Sequence, residues 1–185
     1  MRADRKWRGQ DHDRLLDRAG PHLGGVSDHV PVVDLVESGN GGGSIAWADD
    51  FDKLHVGPRS AGALPGPAAY GRGGDKATTT DANLWLGRIN RDFFCGGEVV
   101  ADMAAAETAL RAVGANIGVS TDEAARGIIR IANNNRVNAL KPVSLNRGFD
   151  PRDFTLVAFG GGSGMHAVAL AQELGIKRVV IPFGA

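Results

Sequence analysis

The chain has 185 residues, enough for one sizeable hydrophobic core or for a piece of a larger domain. Its 21 acidic and 21 basic residues balance, which argues against a basic nucleic-acid-binding platform. A single cysteine, Cys95, excludes an internal disulfide framework and favours the cytoplasm as compartment. Because no apolar run reaches the roughly 18 residues of a spanning helix, we expect no membrane segment.

The N-terminal part of the sequence differs in composition from the rest. Residues 1–29 are dense in Arg and Asp and hold too few apolar side chains to anchor a core. We predict a polar arm here, either a short helix or a poorly ordered segment. Residues 30–185 are predicted to form the folded domain.

A glycine-rich segment follows the first predicted strand, residues 30–36. Asp34 interrupts this apolar strand with a carboxylate that must be paired, hydrated or functional. The segment ESGNGGGSIAW then predicts a second strand from Ile45, so that strand, glycine turn and strand form a hairpin. Such a tip can wrap a phosphate with backbone N–H groups, although an ordinary glycine-rich hairpin explains the pattern equally well. The candidate phosphate contacts are Gly41, Gly42, Gly43 and Ser44.

The middle of the chain predicts a packed loop and three helices. Residues 57–74 are rich in Gly and Pro and predict a structured loop that is neither helix nor inner strand. A helix is expected over residues 78–87 with Thr80 as its N-cap. Asp81 then complements the helix dipole or touches a metal or substrate.

Two longer helices follow. Apolar spacing predicts one over residues 98–113, ending at Gly114. The sequence STDE from Ser120 is a capping box that opens the next helix, which Pro142 should kink or end. Asn133, Asn134 and Asn135 lie in the middle of that helix, where asparagine is unfavourable, so either one of them faces a polar groove or they are solvated.

The C-terminal segment predicts a β-α-β unit. Residues 154–159 and 179–181 indicate buried parallel strands, and helical spacing from Met165 to Leu174 lies between them. The first strand is followed by glycines that expose bare backbone amides at a helix N-terminus, which suits a nucleotide or phosphate, although they also permit a tight turn. The candidate nucleotide contacts in this turn are Gly160, Gly161, Gly162 and Ser163.

The blocks GNGGGSIAW, SAGALPGPAAYGRGG, TTTDANLWLGRI and RGFDPRDFTLVAFGGGSGMHAVALAQELGIKRVVIP together resemble the hydantoinase/oxoprolinase family, and more narrowly its hydantoinase A module. That module occurs in N-methylhydantoinase, 5-oxoprolinase and subunits of acetone and acetophenone carboxylases. The resemblance implies an α/β fold that is part of an actin-like ATPase (ribonuclease H-like), with β-hairpins, helices and the C-terminal β-α-β unit. The first phosphate loop of that superfamily is missing from residues 1–33, so we expect the chain to be a fragment.

The same resemblance implies ATP and Mg²⁺, or another divalent metal, as cofactors. It implies that residues 34–44 contact phosphates, with Asp34 catalytic near a metal-bound water, and that residues 160–163 contact the nucleotide. His166 and Asp81 are the implied metal or substrate ligands. The expected partners are a cyclic amide or ketone substrate and either a hydantoinase B-like subunit or a second copy of the chain.

The predicted activity is ATP-dependent opening of a cyclic amide, hydantoin or 5-oxoproline, by phosphate activation of its carbonyl. Two alternatives stay open: a subunit of an ATP-dependent ketone carboxylase, and a degenerate domain for nucleotide binding or assembly. The missing first phosphate loop favours an inactive isolated chain. A dinucleotide oxidoreductase fits less well, since the late glycines lack the G-x-G-x-x-G spacing.

Overall fold

The computed structural model describes residues 37–183, without the side chain of Cys95. The predicted polar arm, the predicted strand at residues 30–36 and Asp34 lie outside this range.

Within the described range, four strands and four helices form a mixed α/β arrangement. They are β1 (Ser44–Ala48), β2 (Leu54–Ser60), α1 (Thr79–Trp85), α2 (Met103–Asn116), α3 (Thr121–Val143), β3 (Thr155–Val157), α4 (Gly164–Leu174) and β4 (Arg178–Val180). Short 3-10 helices lie at Ala68–Tyr70, Arg91–Gly97, Leu145–Arg147 and Pro151–Asp153.

The described hairpin is formed by β1 and β2, which pair antiparallel. Its tip is the turn at residues 49–53, where the Asp49 carboxylate accepts the backbone N–H groups of Phe51 and Lys53 at 2.9 Å each. The predicted hairpin, which has the glycines at its tip, is a different one and stays a prediction, because its first strand lies outside the described residues. In the structure the glycines precede β1.

The predicted loop at residues 57–74 is partly wrong, because β2 continues to Ser60. Proline has no backbone N–H to donate to the neighbouring strand. Pro58 is tolerated because the pairing register shifts between Ser44 and Ala46, and at such a bulge the ladder needs no N–H from this position. The rest of the segment packs inward as expected, with Ala68 and Ala69 fully buried.

The N-cap of helix α1 is Thr78, so the prediction of Thr80 as its N-cap is wrong. The Thr78 backbone is extended and its Oγ1 accepts the N–H of Asp81 at 3.3 Å. Thr78 stands three residues before an acidic side chain, which is the spacing of a capping box, whereas Thr80 does not. The helix closes at Gly87, whose φ is +68°.

Helix α2 is displaced from the predicted residues 98–113. It starts after Asp102, whose carboxylate accepts the N–H of Ala105 at 2.9 Å, and it continues past Gly114. A Cβ at Gly114 would lie 2.8 Å from the carbonyl oxygen of Val119. Glycine is therefore needed here so that the backbone at Val119 can pack close to the helix, and it does not end the helix.

Helix α3 agrees with its predicted start. Ser120 and Glu123 form the expected capping box, and the helix ends one residue after Pro142. It is the central element of the core, where it packs against α1, α2, α4 and β2. Its fully buried apolar side chains are Ala124, Ala125, Ile128, Ile129, Ala132 and Val137.

The C-terminal unit has the predicted topology, because β3 and β4 pair parallel on either side of α4. The prediction that both strands are buried is wrong: Val157 is 50% exposed and Val180 is 47% exposed. In the described part of the chain these two strands pair only with each other, so no further strand adjoins either edge of the sheet.

Candidate functional site

The early glycine turn, residues 39–43, is fastened to two neighbouring elements by its own carbonyl groups. The carbonyl oxygen of Gly42 accepts the N–H of Thr80 at 2.8 Å, and that of Gly43 accepts the N–H of Ala61 at 2.9 Å. The turn therefore lies between the end of β2 and the first turn of α1, with its carbonyl groups directed at the protein.

The amide groups of the same turn are in a different position. The N–H of Gly41 donates to Oγ of Ser44 at 2.9 Å, so this buried hydroxyl closes the turn from inside. For the N–H groups of Gly42 and Gly43 no acceptor is recorded within residues 37–183. These two donors are the ones that a bound anion would use.

The late glycine turn, residues 160–162, is exposed and leads directly into α4. Gly160 has a φ of +81°, which favours glycine. The hydroxyl of Ser163 donates back to the carbonyl oxygen of Phe159 and so fixes the turn. This is a tight strand-to-helix turn, as predicted.

Three glycines of the described chain combine a backbone conformation that suits any residue with open space where a side chain would be. At Gly41, Gly161 and Gly162 the φ angle is open to any residue, and a Cβ would meet nothing within 4 Å. Gly42 and Gly43 differ, because there a Cβ would lie 2.7 Å from Oγ1 of Thr80 and 2.9 Å from Oγ of Ser60. The three unexplained glycines all belong to the early and late turns.

Asp81 is buried and its carboxylate is surrounded by donors. It accepts the N–H of Ala69 at 2.8 Å, the N–H and Oγ1–H of Thr78 at 2.8 and 2.7 Å, and the N–H of Ala68 at 3.3 Å. Burial raises the pKa of Asp81, and these donated hydrogen bonds act in the opposite direction. The carboxylate ties the packed loop to the start of α1, and its predicted metal role stays a prediction.

His166 is also buried, at 1% exposure, in the first turn of α4. Its Nδ1 lies 2.6 Å from Oδ1 of Asn133 on α3. Since an amide oxygen only accepts, Nδ1 carries the hydrogen and Nε2 keeps its lone pair. Burial and then the charges of Arg136 and Arg88 lower the pKa of His166 to about 4, so the ring is neutral at pH 7.

The middle of α3 connects the two glycine turns. Nδ2 of Asn40, in the early turn, donates to the carbonyl oxygen of Ala132 at 2.7 Å. The next residue, Asn133, holds His166 four positions after the late turn. The structure therefore brings the early turn and the start of α4 to consecutive residues of one helix.

The asparagine run was the sequence signal for this connection. Asn133 binds His166, and Nδ2 of Asn135 donates to the carbonyl oxygen of Val56 on β2 at 3.2 Å, while Asn134 is exposed. The expectation that one asparagine faces a polar groove is confirmed. Asn40 was not predicted, because nothing local marks an asparagine that bonds a helix 92 positions away.

A cavity of about 600 Å³ lies elsewhere, between the C-terminal part of α3 and the end of α4. Its lining includes Lys141, Phe149, Arg152 and Glu173, and it contains none of the predicted site residues. Within residues 37–183 there is no group of three or more His, Cys, Asp or Glu side chains arranged to hold a metal ion. None of the helices described here has the length and apolar character needed to cross a membrane.

The fold has close counterparts of known structure. The crystal structure of ATP-dependent caprolactamase from Pseudomonas jessenii superimposes with a TM-score of 0.72 at 50% identity, over 77% of this chain and 21% of that one. A nucleotide-free acetone carboxylase structure gives a TM-score of 0.70 at 28% identity, over 77% and 20% of the two chains. The described domain thus has the α/β fold that these ATP-dependent enzymes contain.

The chain belongs to the hydantoinase/oxoprolinase family, whose model matches residues 15–185. It is 48% identical to caprolactamase subunit alpha of Pseudomonas jessenii over 154 residues, which are 83% of this chain and 22% of that protein. It is 39% identical to the 5-oxoprolinase PfmaA of Pestalotiopsis fici, over 82% and 12% of the two proteins. The chain therefore spans about a fifth or less of these relatives, and the family resemblance seen in its sequence blocks is confirmed.

Proposed function

We propose that this chain is the nucleotide-contacting part of an ATP-dependent hydrolase that opens a cyclic amide. The observation that carries the proposal is the set of three glycines, Gly41, Gly161 and Gly162, that the protein's own backbone and packing do not require. At each of them a Cβ would occupy open space beside backbone amides, which is the space that a phosphate or nucleotide needs.

The chemistry of the proposed reaction explains why a nucleotide is needed. A ring amide is stabilised by resonance, and phosphorylation of its oxygen by ATP makes the carbonyl carbon open to attack by water. The protein's contribution to such a transfer is to place the phosphates and neutralise their charge. The early turn offers the N–H groups of Gly42 and Gly43, and the late turn offers its exposed amides beside the start of α4.

The proposed metal is Mg²⁺, bound mainly by nucleotide phosphates and water, as is usual for this ion. His166 is better suited as an acceptor for a substrate N–H, because its Nε2 is neutral and Mg²⁺ prefers oxygen ligands. Asp81 already accepts four hydrogen bonds, so we assign it the task of holding the loop at Ala68–Tyr70. Asp34 remains proposed as the catalytic carboxylate near the metal-bound water.

The substrate class and the partners are proposed from the relatives' names. Caprolactam and 5-oxoproline are both cyclic amides, and the relative with 48% identity is called a subunit. We therefore propose a further subunit of the hydantoinase B type, or a second copy of this chain, in the cytoplasm, where ATP is made available. A subunit of a ketone carboxylase is the second candidate, since the fold matches acetone carboxylase with a TM-score of 0.70.

Titration calorimetry of the 185-residue chain with Mg·ATP and Mg·ADP tests the nucleotide assignment. We expect heat of binding for both, and its loss in Gly161→Val, which fills the open space at the late turn. The matched control is Gln172→Val, at an exposed position on α4, the helix that follows the late turn. This variant should bind nucleotide like the parent chain. Absence of heat at millimolar nucleotide, or equal heat in both variants, would contradict the proposal.

A further inference from the structure

Arg136 presents a charge that no carboxylate of residues 37–183 neutralises. Its Nη1 is buried and has no hydrogen-bond partner among residues 37–183. Within the same range no carboxylate forms an ion pair with Arg136 or with Arg88. The residue as a whole is partly buried, and a guanidinium N–H that is shielded from water without an acceptor is costly. Such a group is a candidate to bind an anion.

The surroundings of Arg136 are polar and cationic. Arg136 follows Asn133 by three positions on α3, and residues at this spacing share one face of a helix. Asn133 holds His166 at 2.6 Å on that face. Arg88 is exposed, its backbone N–H donates to the carbonyl oxygen of Asn83 at 2.9 Å, and its charge contributes to the lowered pKa of His166.

His166 adds an acceptor to this group. Its Nδ1–H is used by Asn133, and the lone pair of Nε2 is the remaining polar function of the neutral ring. The group thus combines two guanidinium groups, which bind oxyanions in a forked geometry, with one neutral acceptor.

We propose that Arg136, with Arg88 and His166, forms a binding site for an oxyanion, either a phosphate or a carboxylate. This site deepens the proposed function and rests on it, because the proposed function supplies the anion. The anion is either the nucleotide phosphate or a carboxylate on the cyclic amide. In the second case Nε2 of His166 accepts the ring N–H while Arg136 takes the carboxylate. The site uses side chains and is distinct from the backbone amides of the two glycine turns.

Thermal unfolding of the full chain in phosphate, against chloride at equal ionic strength, is the first test. We expect inorganic phosphate to raise the melting temperature if phosphate is the source, and 5-oxoproline but not uncharged hydantoin to raise it if a carboxylate is. Arg136→Met should abolish either shift, and Arg130→Met, an exposed arginine on the same helix, should keep it. No shift with either anion, or an unchanged shift in Arg136→Met, overturns the proposal.

The variant's own stability is a second readout. In buffer without oxyanions Arg136→Met should unfold at the same or a higher temperature than the parent chain, because removing an unpartnered buried charge removes a cost. A large drop would show that Arg136 has a structural partner and would also overturn the proposal. Arg136→Lys is a further test, because it retains the charge without the fork: the dissociation constant for phosphate should rise about tenfold.

Failure of the proposed function is distinguishable from failure of this site. Gly161→Val should lose Mg·ADP and keep the oxyanion-dependent shift. Arg136→Met should lose that shift; it should also weaken Mg·ADP binding if the anion is a nucleotide phosphate, and leave Mg·ADP binding unchanged if the anion is a carboxylate. If the parent chain binds phosphate and not Mg·ADP, the nucleotide assignment fails and the oxyanion site stands.

Discussion

Asn133 on α3 and His166 on α4 are joined by a hydrogen bond of 2.6 Å from Nδ1 to Oδ1. The bond is made 33 positions apart in sequence, and it fixes both the tautomer and the orientation of a buried ring. It lies one residue from the point where Asn40 of the early turn reaches the same helix. Several measurable consequences follow from this arrangement.

A double-mutant cycle between Asn133→Ala and His166→Ala should give a coupling free energy of about 1 kcal/mol, the size of a neutral hydrogen bond. Unfolding in urea provides the four stabilities. Asn134→Ala with His166→Ala is the control cycle, because Asn134 is exposed. The change in helix propensity is the same for both asparagines, so a similar coupling in both cycles would contradict the assignment.

The stability of the chain should depend on pH through His166. The folded pKa is about 4 against 6.5 for the free side chain, so between these values the unfolded chain binds the extra proton. Stability is therefore full above about pH 6.5 and falls towards pH 4, by at most about 1.4 kcal/mol per pH unit. Urea titrations in EDTA at several pH values measure the slope, which should be smaller in His166→Asn; equal slopes would count against a buried neutral ring.

Asp81→Ala should destabilise the chain by about 2–4 kcal/mol, because the carboxylate half of the capping box is lost and buried N–H groups are left without an acceptor. Glu123→Ala provides the matched control: it breaks the capping box of α3, which is exposed, and should destabilise the chain much less. Chemical unfolding of both variants gives the comparison. Equal losses would mean that the carboxylate of Asp81 does not hold the loop.

Alanine substitutions separate the glycines that the fold needs from those that it does not. Gly162→Ala should leave stability unchanged or raise it by about 0.4–1 kcal/mol, since its backbone suits any residue and no atom opposes a Cβ. Gly74→Ala should destabilise by about 1–3 kcal/mol, because its Cβ would lie 2.4 Å from the carbonyl oxygen of Gly66. Melting temperatures decide the point, and a destabilised Gly162→Ala would show that the chain itself requires this glycine.

Local signals predicted those parts of the fold whose causes are local. The capping box at Ser120 and Glu123 was read correctly because both partners lie within one helical turn. The parallel C-terminal unit was read correctly because strand, glycine turn and amphipathic helix follow one another directly. Three threonines stand together before Asp81, so residue type alone does not decide which one is the N-cap. Only the three-residue spacing to the Asp81 carboxylate selects Thr78 rather than the predicted Thr80.

Other errors came from contacts between distant segments. Gly114 is the predicted helix end, but in the structure it makes room for the returning chain, because the carbonyl oxygen of Val119 lies 2.8 Å from where a Cβ would be. Apolar composition predicts buried C-terminal strands, whereas burial depends on which layers cover them. In the described chain, Val157 and Val180 stay about half exposed beside a two-stranded sheet.

The sequence by itself determined the family, the two glycine turns and the order of the elements, because each of these is written in residues that are neighbours along the chain. The tertiary structure decided which glycines are left unexplained, how Asp81 is surrounded by donors, and that Asn40 and His166 reach adjacent residues of α3. Those facts depend on distances between segments up to 92 positions apart, and such distances are set by packing rather than by any local preference.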